Sequence, residues 1–335
     1  MSDIITNVKK YSSIAIIGLS KNAGKTTTMN YLLKMMNYQN CMLTSIGYDG
    51  EETDLIFNSN KPTIFIKENT IIASAKKCLL QSNIQFEIME TTGFNTPLGE
   101  VIIARSLNEG LIELAGPSYN EQLTKVIDIM YSFNKDGLVL VDGALNRKMM
   151  ANPSVCDGTI LCTGMSLNKD IDKVVAKTIF TLEIFKSELV DQKIKEIIEN
   201  NISNNIILDK DNKITKLEVD TLINKENEII KLLNKNSAYL YIKGPLLDKL
   251  MEALITKRNT FKELNIVVND ATKIFISQKV FELLKKTNIK IKLLNKIEII
   301  GISVNPVGIN IKVDSKLLIN EIKKYTNIPV FNVME

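Results

Sequence analysis

Residues 14–28 read I-A-I-I-G-L-S-K-N-A-G-K-T-T-T. An apolar run breaks into small residues and then into Gly24-Lys25-Thr26, the form of a strand, a tight loop and a helix start. Successive backbone N–H groups in such a loop wrap a polyphosphate, and the helix N-terminus adds partial positive charge. Lys25 then reaches the β- and γ-phosphates, and Thr26 supplies the hydroxyl that a phosphate-bound Mg²⁺ needs. Ser20, Asn22, Ala23, Gly24, Lys25, Thr26 and Thr27 are therefore the expected nucleotide contacts, with Lys25 also acting in catalysis and Thr26 also on the metal. The loop departs from G-x-x-x-x-G-K-[ST], because Leu19 stands where the first glycine belongs and Gly18 lies one residue early. Lys21 is four residues before Lys25, where the variant K-G-G-x-G-K-T needs five, so it is given no trans-acting role.

Composition narrows the chemistry. At 335 residues the chain is long enough for two compact domains. Its net charge is +4 with the lysines dispersed, so charge does not suggest nucleic acid. Histidine is absent, which removes the commonest general base, the commonest metal ligand and every Ser-His or Cys-His mechanism. Cys41, Cys78, Cys156 and Cys162 form no C-x-x-C pair and read as reduced core cysteines of a cytoplasmic protein. The first ten residues lack the regions of a signal peptide, and no apolar run approaches the roughly 18 residues a membrane span needs.

After the loop, Met29, Leu32, Leu33 and Met36 recur at helical spacing, which completes a βα unit. A strand over 41–47 delivers Asp49, placed to hold Mg²⁺ through water or simply to make an Asp-Gly turn. Residues 63–66 and 71–75 read as two strands or as strand then helix. Residues 84–89 lead into Glu90-Thr91-Thr92-Gly93, where the carboxylate can reach a metal or water and the glycine N–H a γ-phosphate. A strand over 111–115 and a helix over 121–133 precede 138–141, which ends at Asp142-Gly143. Asp142 and Glu90 compete for one magnesium-side catalytic role. Arg147, in Asn146-Arg147-Lys148, either grips phosphate or solvates its loop. A strand over 159–162 and a helix from Ile171 to Leu182 follow.

This alternation predicts an α/β fold with a mostly parallel sheet and ligands at the carboxyl ends of its strands. The expected organisation is a nucleotide-binding domain over 1–186, a charged, Asn-rich helical linker over 187–236, and a smaller α/β domain over 237–335.

At the loop and at Glu90-Thr91-Thr92-Gly93, the first half resembles the P-loop NTPase class that contains cobalamin- and metal-enzyme chaperone GTPases, dethiobiotin synthetase and MinD-type ATPases. More narrowly, G-L-S-K-N-A-G-K-T-T, V-D-G-A-L-N-R-K and the closing I-S-V-N-P resemble the accessory reactivase subunit of adenosylcobalamin-dependent lysine 5,6-aminomutase. That resemblance implies a cytoplasmic, nucleotide-driven reactivating chaperone whose partners are the aminomutase and a MutS-like ATPase subunit. From charge and hydropathy, no nucleic acid and no membrane is expected as a partner. Guanine recognition wants N-K-x-D, but Asn168-Lys169-Asp170 has the wrong spacing and Asn295-Lys296-Ile297-Glu298 ends in Glu, so ATP with Mg²⁺ is expected over GTP. The rival expectation is an ATP-dependent ligase of the dethiobiotin synthetase kind. A nucleotide-binding scaffold with negligible turnover is the third.

Overall fold

The computed structural model describes residues 2–47, 63–143, 155–217 and 224–334. The chain lays down β1 (Ser13–Gly18), β2 (Cys41–Ser45), β3 (Ile71–Ala75), β4 (Phe86–Thr96), β5 (Gly99–Ser106), β6 (Leu138–Asp142) and β7 (Gly158–Gly164). It then builds a second unit from β8 (Glu188–Leu189), β9 (Asn205–Asp209), β10 (Ile214–Leu217), β11 (Ser237–Ile242), β12 (Leu264–Val268) and β13 (Ile289–Leu293). Finally it returns to the first unit with β14 (Ile299–Asn305) and β15 (Val330–Asn332).

The first unit holds a nine-stranded sheet of order β15-β14-β7-β1-β6-β2-β3-β5-β4. The seven strands from β15 to β3 are parallel, and the β4-β5 hairpin closes one edge antiparallel. Central strands of this kind are covered on both faces and read as unbroken apolar runs. Ile14 and Ile16 face one core with Met29, Leu32 and Leu33 of the Lys25–Met35 helix. Val139 and Val141 face the other core with Leu123, Val126, Ile127 and Met130 of the Asn120–Phe133 helix. The mixed α/β class with a mostly parallel sheet is thus what the chain forms.

The division into units differs from the one expected. Residues 1–179 and 298–335 make one unit and 180–297 the other, so the closing segment is not part of a second domain. The physical reason is strand pairing: β14 runs parallel to β7 from Ile299 to Asn305, and β15 adds outside it. Phe331 of β15 also stacks on Tyr31 of the Lys25–Met35 helix, ring centroids 5.6 Å apart. Residues 187–236 are no linker either, because β9 and β10 belong to the six-stranded sheet of the second unit, ordered β8-β13-β12-β11-β9-β10. Ile206 and Leu208 of β9 are fully buried in that unit's core beside Tyr241 and Val267.

Residues 63–66 and 71–75 resolve as two strands that do not pair with each other. Ile64–Ile66 pairs antiparallel with Gly110–Ile112, while β3 enters the main sheet. Among the described residues no helix is long and apolar enough to cross a membrane.

Ile302 of β14 is fully buried. Ile302→Ala should therefore destabilise the first unit by about 2–5 kcal/mol, the usual cost of such a truncation in a core. Urea unfolding with hydrogen exchange at β1 and β7 amides measures this. Unchanged protection there would contradict the assignment of β14 to this sheet.

Candidate functional site

The site grows from the point where β1 stops. Every residue of β1 is buried, and beyond Gly18 the chain must turn into a helix within six residues. Leu19 stays inside at 4 % exposure and donates its N–H to Cys162 O at 2.9 Å, which continues the pairing with β7 for one residue. Asn22 (φ 61°) and Gly24 (φ 94°) then take left-handed backbone to complete the turn. Ala23 N donates to Ser20 O at 3.3 Å, and the Ser20 and Ser166 hydroxyls meet at 2.8 Å.

Gly18 explains why Leu19 is tolerated. A Cβ at Gly18 would stand 3.1 Å from Lys25 Cγ and 3.2 Å from both Ala23 Cβ and Ser20 O. The lysine stem is laid over this glycine. Close approach is needed at residue 18, whereas the side chain of Leu19 is buried in the core.

The helix opens at Lys25 with no side-chain cap. Its first recorded turn closes when Thr28 N donates to Gly24 O at 2.8 Å, so the N–H groups of Lys25, Thr26 and Thr27 precede the intrahelical ladder. Lys25, Thr26 and Thr27 are half-buried, accessible to a ligand yet held by the fold. Beneath them the Thr28 hydroxyl meets Gly24 O at 2.8 Å, Ser303 Oγ at 2.7 Å and Cys162 Sγ at 3.4 Å.

Asp142 ends β6, the strand next to β1, with Ile16 as its partner in register and Gly143 N donating to Ile16 O at 3.0 Å. Burial raises the Cys162 thiol most strongly. Hydrogen bonds from Ser303 and Thr28 and the Lys25 charge pull it down, and Asp142 pushes it up. One buried sulfur thus lies within electrostatic reach of both Lys25 and Asp142.

Glu90 and Gly93 are elsewhere, and here the expectation from sequence is corrected. Both are exposed on β4, the outermost strand of the antiparallel hairpin. Five strand spacings separate β4 from β1, about 24 Å. Gly93 N is taken by Glu100 Oε1 at 2.7 Å, and Thr92 Oγ1 donates to Val101 O at 2.8 Å. The E-T-T-G run is therefore hairpin, and neither residue meets the loop. Asp49 and Arg147 lie outside the described residues. Asn168 and Asp170 make Asx turns ahead of the Ile171–Phe185 helix, accepting from Asp170 N and Asp172 N at 3.0 Å each.

Four residues of the site escaped sequence reasoning. Ser303 and Asn305 arrive on β14, Cys162 on β7, and Ser166 just beyond it. The signal for Asn305 is an apolar run, Ile299 to Val304, ending in a polar residue, but the expected division assigns that run to the smaller domain over 237–335. No group of three or more His, Cys, Asp or Glu able to hold a metal is found among the described residues. A cavity of about 620 Å³ opens at the amino ends of β1, β2 and β6, bordered by Lys9, Tyr11, Met36, Asn40 and Lys135, opposite to the loop. No protein-family model matches the chain, and no curated protein or solved structure does.

Burial holds the thiols in their neutral form: Cys41 is pushed up to about 11, Cys156 to about 12, and Cys162 is raised as well. At pH 8, below all three, none is a thiolate and none should be labelled rapidly by a disulfide reagent in the folded chain. Peptide mass spectrometry after brief labelling, with and without denaturant, checks this. Rapid native labelling of Cys162 would mean that the floor of the loop is open.

Proposed function

We propose that this chain binds the polyphosphate of a nucleoside triphosphate on residues 18–28, with ATP preferred to GTP, and that it is a P-loop ATPase. The observation that carries this reading is the Lys25 stem laid over Gly18 beside a helix start that no side chain caps. The N–H groups of the helix's first turn and its positive end favour an anion there, and the lysine adds a full charge. Thr26 and Asp142 offer a hydroxyl and a carboxylate, the hard oxygen donors that suit Mg²⁺ and would hold it. When bound, Mg²⁺ neutralises charge on the phosphoryl group. Asp142 takes the acid's role because it ends the strand beside β1, and Glu90 has no part. ATP is preferred because N-K-x-D occurs nowhere in the sequence.

The cycle serves, in this proposal, to reactivate adenosylcobalamin-dependent lysine 5,6-aminomutase together with a MutS-like ATPase subunit. The basis is the likeness of G-L-S-K-N-A-G-K-T-T, V-D-G-A-L-N-R-K and I-S-V-N-P to the accessory reactivase subunit. Support comes from where these phrases meet: the first and last touch through Asn305 and Asn22, and the second begins on β6 beside β1.

Lys25→Ala should abolish Mg-ATP binding in isothermal titration while the protein remains folded, because a half-buried lysine contributes little to the core. Asp142→Asn should keep binding and lose hydrolysis about a hundredfold. Glu90→Gln should match wild type in both. Undiminished binding by a folded Lys25→Ala protein would remove the central claim.

Partner coupling requires each nucleotide state to bind the partners with different affinity. Aminomutase inactivated by turnover should recover when this chain, the second ATPase subunit, fresh adenosylcobalamin and Mg-ATP are added. Recovery should need hydrolysable ATP and Lys25. Equal recovery without this chain, or none in the full mixture, would discard the reactivase reading in favour of the ligase.

A further inference from the structure

Asn305 is the last residue of β14, and its contacts converge on the loop. Its Nδ2 donates to Asn22 O at 3.2 Å. Its Cβ lies 3.4 Å from where a Cβ on Gly24 would stand. Its carbonyl accepts from Met165 N at 3.0 Å and lies 2.0 Å from where a Cβ on Gly164 (φ 155°) would begin, so β7 and β14 end in tight register. Its own side chain is fixed by Val307 N, which donates to Oδ1 at 3.0 Å.

The consequence falls on one peptide group. The Asn22 carbonyl is held by Asn305, and the N–H of the same peptide, on Ala23, is held by Ser20 O. A peptide group tied at both ends cannot flip. Its orientation fixes the direction in which the following amides leave the loop, and Asn22 sits left-handed at φ 61°, a region that Asn tolerates better than most side-chain-bearing residues but that still favours glycine.

We infer that Asn305 is a positioning residue that holds Asn22 left-handed, so that the loop is shaped for a phosphate chain before any ligand arrives. This rests on the polyphosphate reading above. The segment that completes the sheet therefore also sets the loop, and it acts on phosphate binding without touching phosphate. Preorganisation of this kind appears as affinity, because the cost of ordering the loop is not charged to binding.

The test uses the full chain and two probes, Mg-ATP and magnesium tripolyphosphate, which has no base or sugar. Asn305→Ala should weaken both together by about tenfold, the effect of losing one well-placed hydrogen bond. Adding Asn22→Gly should restore both to within about threefold of wild type, because glycine takes positive φ without a side-chain penalty. Should Asn305→Ala fail to fold, Asn305→Ser serves: its hydroxyl can still accept from Val307 N, is too short to donate to Asn22 O, and adds no charge. A loss confined to Mg-ATP would mean that Asn305 contacts the nucleoside, which overturns the inference and leaves the polyphosphate reading intact. Unchanged binding, or a loss that Asn22→Gly does not repair, overturns it too. If wild type binds neither probe, the polyphosphate reading falls and the inference with it.

Discussion

Under the first turn of the Lys25–Met35 helix, Thr28, Ser303 and Cys162 meet at no more than 1 % exposure, and the loop stands on that contact. The buried Ser303 hydroxyl left unpaired would cost about 1–3 kcal/mol, so its bond to Thr28 favours the packing of the helix against β14. The Thr28 hydroxyl also reaches the Gly24 carbonyl, so the network grips the helix at the residue where its backbone turns left-handed. Three chain segments far apart in sequence are brought together by one polar knot in an otherwise apolar floor.

That knot ties the beginning of the chain to its end. Residues 180–297 form their own unit, so the first sheet is completed only after the chain has made that excursion and come back. Until β14 arrives, β7 has a bare side and Thr28 lacks Ser303. Loop closure over such a separation is entropically costly, and the parallel pairing that rewards it comes late.

What could be read from sequence was what sequence encodes locally. The run from Ile14 to Gly18, the small residues after it and the apolar spacing of Met29, Leu32 and Leu33 each constrain their own neighbourhood, and the structure forms strand, loop and helix there. Glu90 misled because residues 84–89 look like a strand ending in a polar turn. The strand in fact runs on through E-T-T-G to Thr96, and register shifts at Ile88/Glu90 and Thr91/Asn95 blur the alternation that would have marked it antiparallel. In residues 187–236 the Asn and Lys content hid the short run Ile206-Ile207-Leu208, which is enough for a buried strand. The placement of β14 was out of reach for a different reason: parallel partners are chosen by tertiary packing, and nothing in I-G-I-S-V-N-P names Thr159 to Gly164 as the other side of the ladder. Asn305 was lost with it.

The same irregular hairpin decides how this molecule behaves in a crowd. An outermost strand of eleven residues is a template on which a second chain can extend the sheet, and Ile88 at 62 % exposure would welcome it. Two breaks in register interrupt the ladder along that border, and exposed Glu90 sets a negative charge on it, while Glu87 pairs with Arg105 at 3.1 Å. A charge at such a position disfavours the addition of a further strand. An edge strand interrupted and charged in this way is a poorer template for a neighbour than a flat, apolar one.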